Sequence, residues 1–400
     1  MRVISALEGD SNMKLAKRMD NFGESIFSSL AAIKNKRIAE GKPVYDFSVG
    51  TPNVPPAQHI IDTLVKEAAN PKNYVYALND LPELQDAVAY WYKNRYGVEL
   101  DPRTEVTSLL GSQEGLSHIA LAFGNDDDIF MVPNPCYPVF ADGPLIAGSN
   151  VYYMPLLEEN DYIIQLQDIP EDVAKKAKMM IVSYPNNPTT AMAPDSFYRE
   201  LIAFAKKYDI IVLHDNAYSD LVYDGRECGS FLRFEGAKEV GVEFNSLSKT
   251  YGTAGARIGF CVGNPDVVKA VKTLKSNMDY GMFIPVQKAA IAAITGDQSC
   301  VPETRAVYCR CRDLLCDGMT EIGWKIDRCS STMFVWPKIP AKYTSSMEFA
   351  MELIEKTGVI VTPGSAFGPL GEGHVRMALV RSEEEVSAAM KAIKDSGMLD

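Results

Sequence analysis

Residues 246–259 read Ser-Leu-Ser-Lys-Thr-Tyr-Gly-Thr-Ala-Gly-Ala-Arg-Ile-Gly, which sets Lys249 among hydroxyls and glycines, with Arg257 eight residues on. Largely apolar runs flank the stretch, 242–247 before it and 258–262 after it. A lysine in the turn between two buried strands loses hydration. Burial and a cationic neighbour then drive it toward the neutral amine. A neutral amine attacks aldehydes to form a Schiff base. Arg257 and the serines would hold an anion close by. An amine beside an anion site is what pyridoxal phosphate requires.

Working outward, short apolar runs rich in β-branched residues recur at 106–110, 129–132, 179–183 and 210–213, in addition to the two that flank Lys249. Helical patterns alternate with them; Asp195–Tyr208 has helical spacing and begins with Pro194 and Asp195 as start signals. This alternation predicts an α/β fold with a largely parallel sheet between helices. Beyond about residue 285 the texture changes. Helices are expected over 285–295 and 301–322, then a short strand at 332–335, as in a smaller α+β domain joined in space by the N-terminal arm.

Open parallel sheets bind ligands beyond the carboxyl ends of their strands. After the first run comes Gly111-Ser112-Gln113-Glu114-Gly115, a glycine-bearing turn opening a helix, where backbone N–H groups and the helix dipole suit an anion. Such turns are also common as plain structure. Tyr137 lies between prolines after the second run, stiff enough to stack on a planar ring, or simply a core tyrosine with a wet hydroxyl. Asn187 precedes Pro188 after the third, either a donor to a phenolate oxygen or a turn former. Asp215 ends the fourth, where a carboxylate needs a cation such as a protonated pyridine nitrogen, unless it caps a helix; Tyr218 follows three residues later. Each feature has a bland explanation, but their joint occurrence at successive strand ends does not.

Composition narrows the alternatives. The 400 residues suggest two domains, and 46% hydrophobic with 23% charged residues is ordinary for a globular chain. A net charge of −12 argues against nucleic-acid binding, and no run is long enough to span a bilayer. Residues 1–20 lack a secretory apolar stretch, so a cytoplasmic protein is expected. The eight cysteines then remain thiols, and the Cys309, Cys311, Cys316 cluster fits no zinc spacing; no metal site is expected.

Taken together, Gly50-Thr-Pro-Asn, Asn187-Pro-Thr, Asp215-x-Ala-Tyr218, Ser246-x-Ser-Lys249 with Arg257, and Arg376 in His-Val-Arg-Met-Ala-Leu resemble the class I/II aminotransferases, which are fold-type I pyridoxal-phosphate enzymes. The resemblance implies a mostly parallel seven-stranded sheet in a large domain (48–284), a small C-terminal domain (285–400) and an N-terminal arm (1–47) packing on the latter. It implies that Lys249 forms the internal aldimine and then moves protons, that Asp215 holds the ring nitrogen protonated, and that Asn187 and Tyr218 bond the ring oxygen. Tyr137 would stack on the ring, and Ser112, Gln113, Ser246 and Arg257 would hold the phosphate. Arg376 would grip the substrate carboxylate, with Gly50 and Asn187 beside it.

Two departures from the family pattern stand out: Asp80 occupies a glycine position, shifting the register of Tyr74 and Tyr76, and Thr190 replaces a glycine. Tyr76 is the choice for reaching a partner's phosphate. The stretch 275–281, Lys-Ser-Asn-Met-Asp-Tyr-Gly, is similar to LL-diaminopimelate aminotransferases and their relatives, which places Asn277 or Tyr280 near the substrate's distal end and the subunit interface. The expected function is transamination between an amino acid, possibly LL-diaminopimelate, and a 2-oxo acid by a homodimer with shared sites. A β-carbon–sulfur lyase on the same scaffold is the alternative.

Overall fold

The computed structural model describes residues 14–23 and 26–399; residues 1–13, 24 and 25 of the expected arm lie outside the described residues. The strands are β1 (Tyr45–Asp46), β2 (Val106–Leu109), β3 (Ile129–Asn134), β4 (Asn150–Pro155), β5 (Ala177–Ser183), β6 (Ile211–Asp215), β7 (Gly241–Ser246), β8 (Gly259–Gly263), β9 (Phe334–Val335), β10 (Val359–Ile360), β11 (Thr362–Pro363) and β12 (Val375–Ala378).

Seven of these form the main sheet, in the order β2-β8-β7-β6-β5-β3-β4. β8 runs antiparallel to both β2 and β7, and the remaining neighbours are parallel. This is the fold-type I α/β arrangement. Period-two alternation splits the side chains between two apolar layers. Met180, Val182, Val212 and Phe260 face one layer, and Met179, Ile181, Leu213 and Cys261 face the other. β4 is the strand that the apolar runs missed, because at the sheet edge most of its residues remain partly exposed and its hydrophobic signal is diluted.

The helix at Asp195–Tyr208 has the expected bounds and buries Phe197, Leu201 and Ala205. Those expected at 285–295 and 301–322 occur as Ile284–Thr295 and Cys300–Glu321. The strand expected at 332–335 shrinks to β9, since Thr332 adopts a left-handed φ of 67°.

Beyond the main sheet, β11, β12 and β9 make a three-stranded antiparallel sheet, and β1 pairs with β10. Helices Cys300–Glu321, Ser346–Thr357 and Glu383–Asp395 close a separate core around Leu315, Met319, Phe349, Leu353 and Val386. The N-terminal helix Ile26–Ala39 sets Leu30 against Ile354 and Ile360 and pairs Lys34 with Asp46 at 2.9 Å. The cysteines are free thiols; Cys311 and Cys316 belong to this core.

Candidate active site

β2, β5, β6 and β7 end at one edge of the sheet, and the reversed β8 begins there, so Arg257 arrives at the same edge from the opposite direction. Asp215 is the last residue of β6, in register with Ser183 on one side and Phe244 on the other. Its side chain is buried, and Oδ1 has no hydrogen-bond partner. Burial pushes this carboxyl up to about 6, although the Ala217 N–H and the nearby His214 and Lys249 favour its charge.

Lys249 rides on a one-turn helix, Leu247–Thr250, capped by Ser246, whose Oγ accepts the Ser248 N–H at 3.1 Å. Its Nζ donates to the Gly50 carbonyl at 2.7 Å. Burial, then the charges of Arg376 and Arg257, hold the amine down to about 8, with Asp215 opposing them. Gly50 must be glycine here, since a Cβ would lie 2.7 Å from the Phe334 ring.

Arg376 on β12 is buried and donates through Nη1 to Asn187 Oδ1 at 2.8 Å and through Nη2 to the Ser48 carbonyl at 2.9 Å. Its Nε has no partner, and its guanidinium lies 4.2 Å from the Phe334 ring centre and 4.7 Å from that of Phe367. Burial lowers its pKa to about 10. The Asn187 amide also meets the Tyr218 hydroxyl, which burial holds well above its ordinary value. Tyr137 donates to Gln113 Oε1 at 3.0 Å, and burial raises this phenol as well.

The anion edge is built from strained backbone. Gly111 has φ +80° and leads into the helix Ser112–Phe123, and Arg257 itself has φ +57°. Arg257 donates to the Ala254 carbonyl at 3.0 Å and the Leu110 carbonyl at 3.2 Å. A Cβ at Gly111 would run into the Arg257 guanidinium. The structure thus gathers Gly50, Ser112, Gln113, Tyr137, Asn187, Asp215, Tyr218, Ser246, Lys249, Arg257 and Arg376 at one edge.

It does not bring Tyr76 or Asn277 into that group. Tyr76 is 83% exposed with its ring edge-on to Tyr280 at 5.9 Å, and the exposed Asn277 amide donates to the Thr273 carbonyl of its own helix at 2.8 Å. Both departures from the family pattern have local accounts. Asp80 accepts the Ser108 N–H at 2.8 Å and the Thr107 hydroxyl at 3.3 Å, stapling its loop to β2. Thr190 takes φ +64°, the conformation a glycine suits, and its carbonyl is tied to the Ser331 hydroxyl at 2.8 Å.

Two polar clusters went unread in the sequence. Glu243, fully buried in β7, accepts from His214 Nδ1, the Ser230 hydroxyl and the Phe231 N–H, each at 2.9 Å, and from the Tyr92 hydroxyl at 2.9 Å and Asn216 at 3.1 Å. A carboxylate inside an apolar run was its signal. In the second cluster, Glu114, His118 and Asp279 are the one trio among the described residues grouped closely enough to hold a metal ion. Lys275 Nζ already lies 2.5 Å from Glu114 and 3.3 Å from Asp279.

A pyridoxal phosphate fits this donor set. The buried, unpartnered Asp215 oxygen awaits a cation, Lys249 supplies an amine, and Gly111 leaves beside Arg257 the room a side chain would fill.

A model of the family described as aminotransferase class I and II matches residues 42–393, and the chain belongs to this family of pyridoxal-phosphate-dependent transaminases. The LL-diaminopimelate aminotransferase of Moorella thermoacetica is 44% identical over 387 residues, 96% of this chain and 98% of that protein. The glutamate-pyruvate aminotransferase AlaC of Escherichia coli is 41% identical, covering 94% of this chain and 92% of its own length. The substrate-bound structure of BacF from Bacillus subtilis is similar with a TM-score of 0.92 at 35% identity, covering 96% of this chain and 98% of that one. The chain is an aminotransferase; these relatives lend no support to the lyase alternative. No helix among the described residues is long and apolar enough to cross a membrane.

Proposed function

We propose that this aminotransferase takes its amino group from LL-diaminopimelate, or from an amino acid of similar shape, and passes it to a 2-oxo acid. The observation that carries the chemistry is the meeting of the Lys249 amine, the unpartnered Asp215 carboxylate and the Arg376 fork at one sheet edge. The donor assignment rests on the 44% identical LL-diaminopimelate relative, with alanine and glutamate as its competitors because of the 41% identical glutamate-pyruvate relative.

Pyridoxal phosphate, when bound, supplies an electrophilic carbonyl and an electron-withdrawing ring. Ser112, Gln113, Ser246 and Arg257 would hold its phosphate, Asp215 would pair with the ring nitrogen, Asn187 and Tyr218 would donate to the ring oxygen, and Tyr137 would stack on the ring. Lys249 Nζ, near pKa 8 and held by the Gly50 carbonyl, is close to half neutral in slightly basic solution. Nζ can therefore take up the proton of the substrate α-carbon and give it back, as general base and then general acid. Arg376 binds the α-carboxylate, and because Asn187 anchors it, recognition of the carboxylate and of the ring oxygen share one residue.

Tyr76 and Asn277 act across a homodimer, each serving the site of the second copy. The exposure of Tyr74, Val75, Tyr76, Tyr280 and Phe283 supports that surface as the shared one. We divide the chain into an arm (1–47), a cofactor-binding domain (48–284) and a small domain (285–400).

The test is to add single amino acids to the cofactor-loaded protein with no 2-oxo acid present. Conversion of the aldehyde-form absorbance to the amine form by LL-diaminopimelate, one equivalent per site, is expected. Conversion by alanine or glutamate alone would overturn the donor assignment. Continuous release of pyruvate and ammonia from cystathionine would mark elimination.

A further inference from the structure

Glu114 lies two residues past Ser112, and its side chain touches the anion turn from below. Its Oε2 accepts the Leu110 N–H at 2.5 Å, and the Leu110 carbonyl in turn accepts Arg257 Nη2 at 3.2 Å. Its Oε1 lies 2.5 Å from Lys275 Nζ, which also reaches Asp279 at 3.3 Å. The Glu114 and Lys275 side chains are 7% and 10% exposed. A buried ion pair loses in desolvation much of what it gains in attraction, so stability alone is a poor reason for one. Here the carboxylate joins the peptide just before Gly111 to the helix Pro265–Met278, and through Leu110 it also sets the seat of Arg257. The stretch 275–281 thereby acquires a physical role: Lys275 braces Glu114 and is itself bonded to Asp279, and the Gly281 N–H, two residues on, ties to the Ala77 carbonyl at 2.8 Å.

We propose that Glu114, braced by Lys275, is a positioning residue for phosphate recognition, holding the Leu110–Gly111–Ser112 backbone and Arg257 in the geometry that receives the anion. The inference rests on the reading above that this edge holds the cofactor's phosphate. The clamp touches neither Lys249 nor Asp215, so its effect falls on the phosphate half of the ligand alone.

The experiment measures binding of pyridoxal phosphate and of pyridoxal, which lacks the phosphate, to the cofactor-free protein. Wild type is compared with Glu114→Gln, Lys275→Met and the double variant, with thermal melts to confirm folding. Both single variants should bind pyridoxal phosphate about tenfold or more weakly and pyridoxal within about twofold of wild type. The double variant should be little worse than either, because the two side chains act as one unit. Equal weakening of both ligands would assign the cluster a general structural role and overturn the proposal, as would no change in either. If Glu114→Gln does not fold, Lys275→Met carries the comparison, and Lys275→Gln, which keeps a donor toward Glu114, should recover part of the lost affinity. A wild-type protein that binds the two ligands equally would instead overturn the phosphate assignment of this edge.

Discussion

Replacing Asp215 by asparagine should make the cofactor-free protein more stable at neutral pH, while abolishing efficient transfer in the loaded enzyme. The carboxyl is buried, one of its oxygens has no partner, and its pKa is pushed up to about 6 from an ordinary 3.8. A folded-state value above the unfolded one means that the native protein binds this proton more tightly. The stability it contributes is therefore present below pH of about 4 and lost as the pH rises through about 6. At about 1.4 kcal/mol per pKa unit, the ionised carboxylate costs roughly 3 kcal/mol at pH 7.5 and about 1 kcal/mol at pH 4.5. Asparagine avoids that penalty at every pH but leaves an amide without a partner, at a cost of about 1–2 kcal/mol.

The variant should thus gain about 1–2 kcal/mol at pH 7.5 and gain nothing, or lose slightly, at pH 4.5. Urea unfolding of both cofactor-free proteins at the two pH values reads this directly. Binding of the cofactor should reverse the order, because a ring-nitrogen cation pairs with aspartate and not with asparagine. A variant destabilised by the same amount at both pH values would refute the reasoning, since it would mean that the Asp215 carboxylate is already satisfied in the native protein.

Lys249, held down to about 8, should react with a small acylating reagent along a pH curve centred near 8 in the cofactor-free protein, resolved by peptide mass spectrometry; a midpoint above 10 would contradict its burial beside two arginines. Lys249→Ala should still bind pyridoxal phosphate but fail to turn over, as a stopped assay with any active donor would show. Arg376→Lys cannot keep the contacts to both Asn187 and Ser48 while offering a two-pronged grip, so kcat/KM for the amino acid should fall about a hundredfold, mainly through KM. Glu243→Gln puts an amide against buried donors and should lower unfolding free energy by about 3 kcal/mol, measured by urea denaturation; an unchanged midpoint would show that the carboxylate is not the hub of its network.

What could be read in advance follows from the range of each interaction. Asp215, Asn187, Ser246 and Lys249 lie at, or within a few residues of, the ends of apolar runs, so local periodicity puts them at strand ends, and parallel packing puts those ends together. Arg257 reaches the same edge only because β8 reverses, which its flanking runs cannot reveal. Arg376 is harder still. Its partners are Ser48, Asn187 and the rings of Phe334 and Phe367, all but the last distant in sequence, and only the family resemblance pointed to it. Glu243 stood in plain view inside an apolar run, yet its partners are scattered over the helix Pro82–Tyr96, β6 and the 230–231 turn, and no local pattern assembles them.

That scattered set explains how the site tolerates its own electrostatics. Burial shifts Asp215 up and Lys249 down, each toward its neutral form, an arrangement that persists only if the surrounding backbone is over-determined. The residues flanking the functional ones supply this. His214 and Asn216, either side of Asp215, both bond Glu243. Asn245, before Ser246, accepts the Ser246 N–H at 2.8 Å and donates to the Tyr96 hydroxyl at 3.1 Å, which shares a 2.7 Å bond with Ser219, the residue after Tyr218. Thr250, next to Lys249, donates to Asp220 at 3.1 Å, and Asp220 also accepts from Arg95 at 2.8 Å. Neighbouring residues thus divide the work, one bearing the function while the next anchors the backbone in a buried polar framework. A change to that framework would move the functional atoms without touching them.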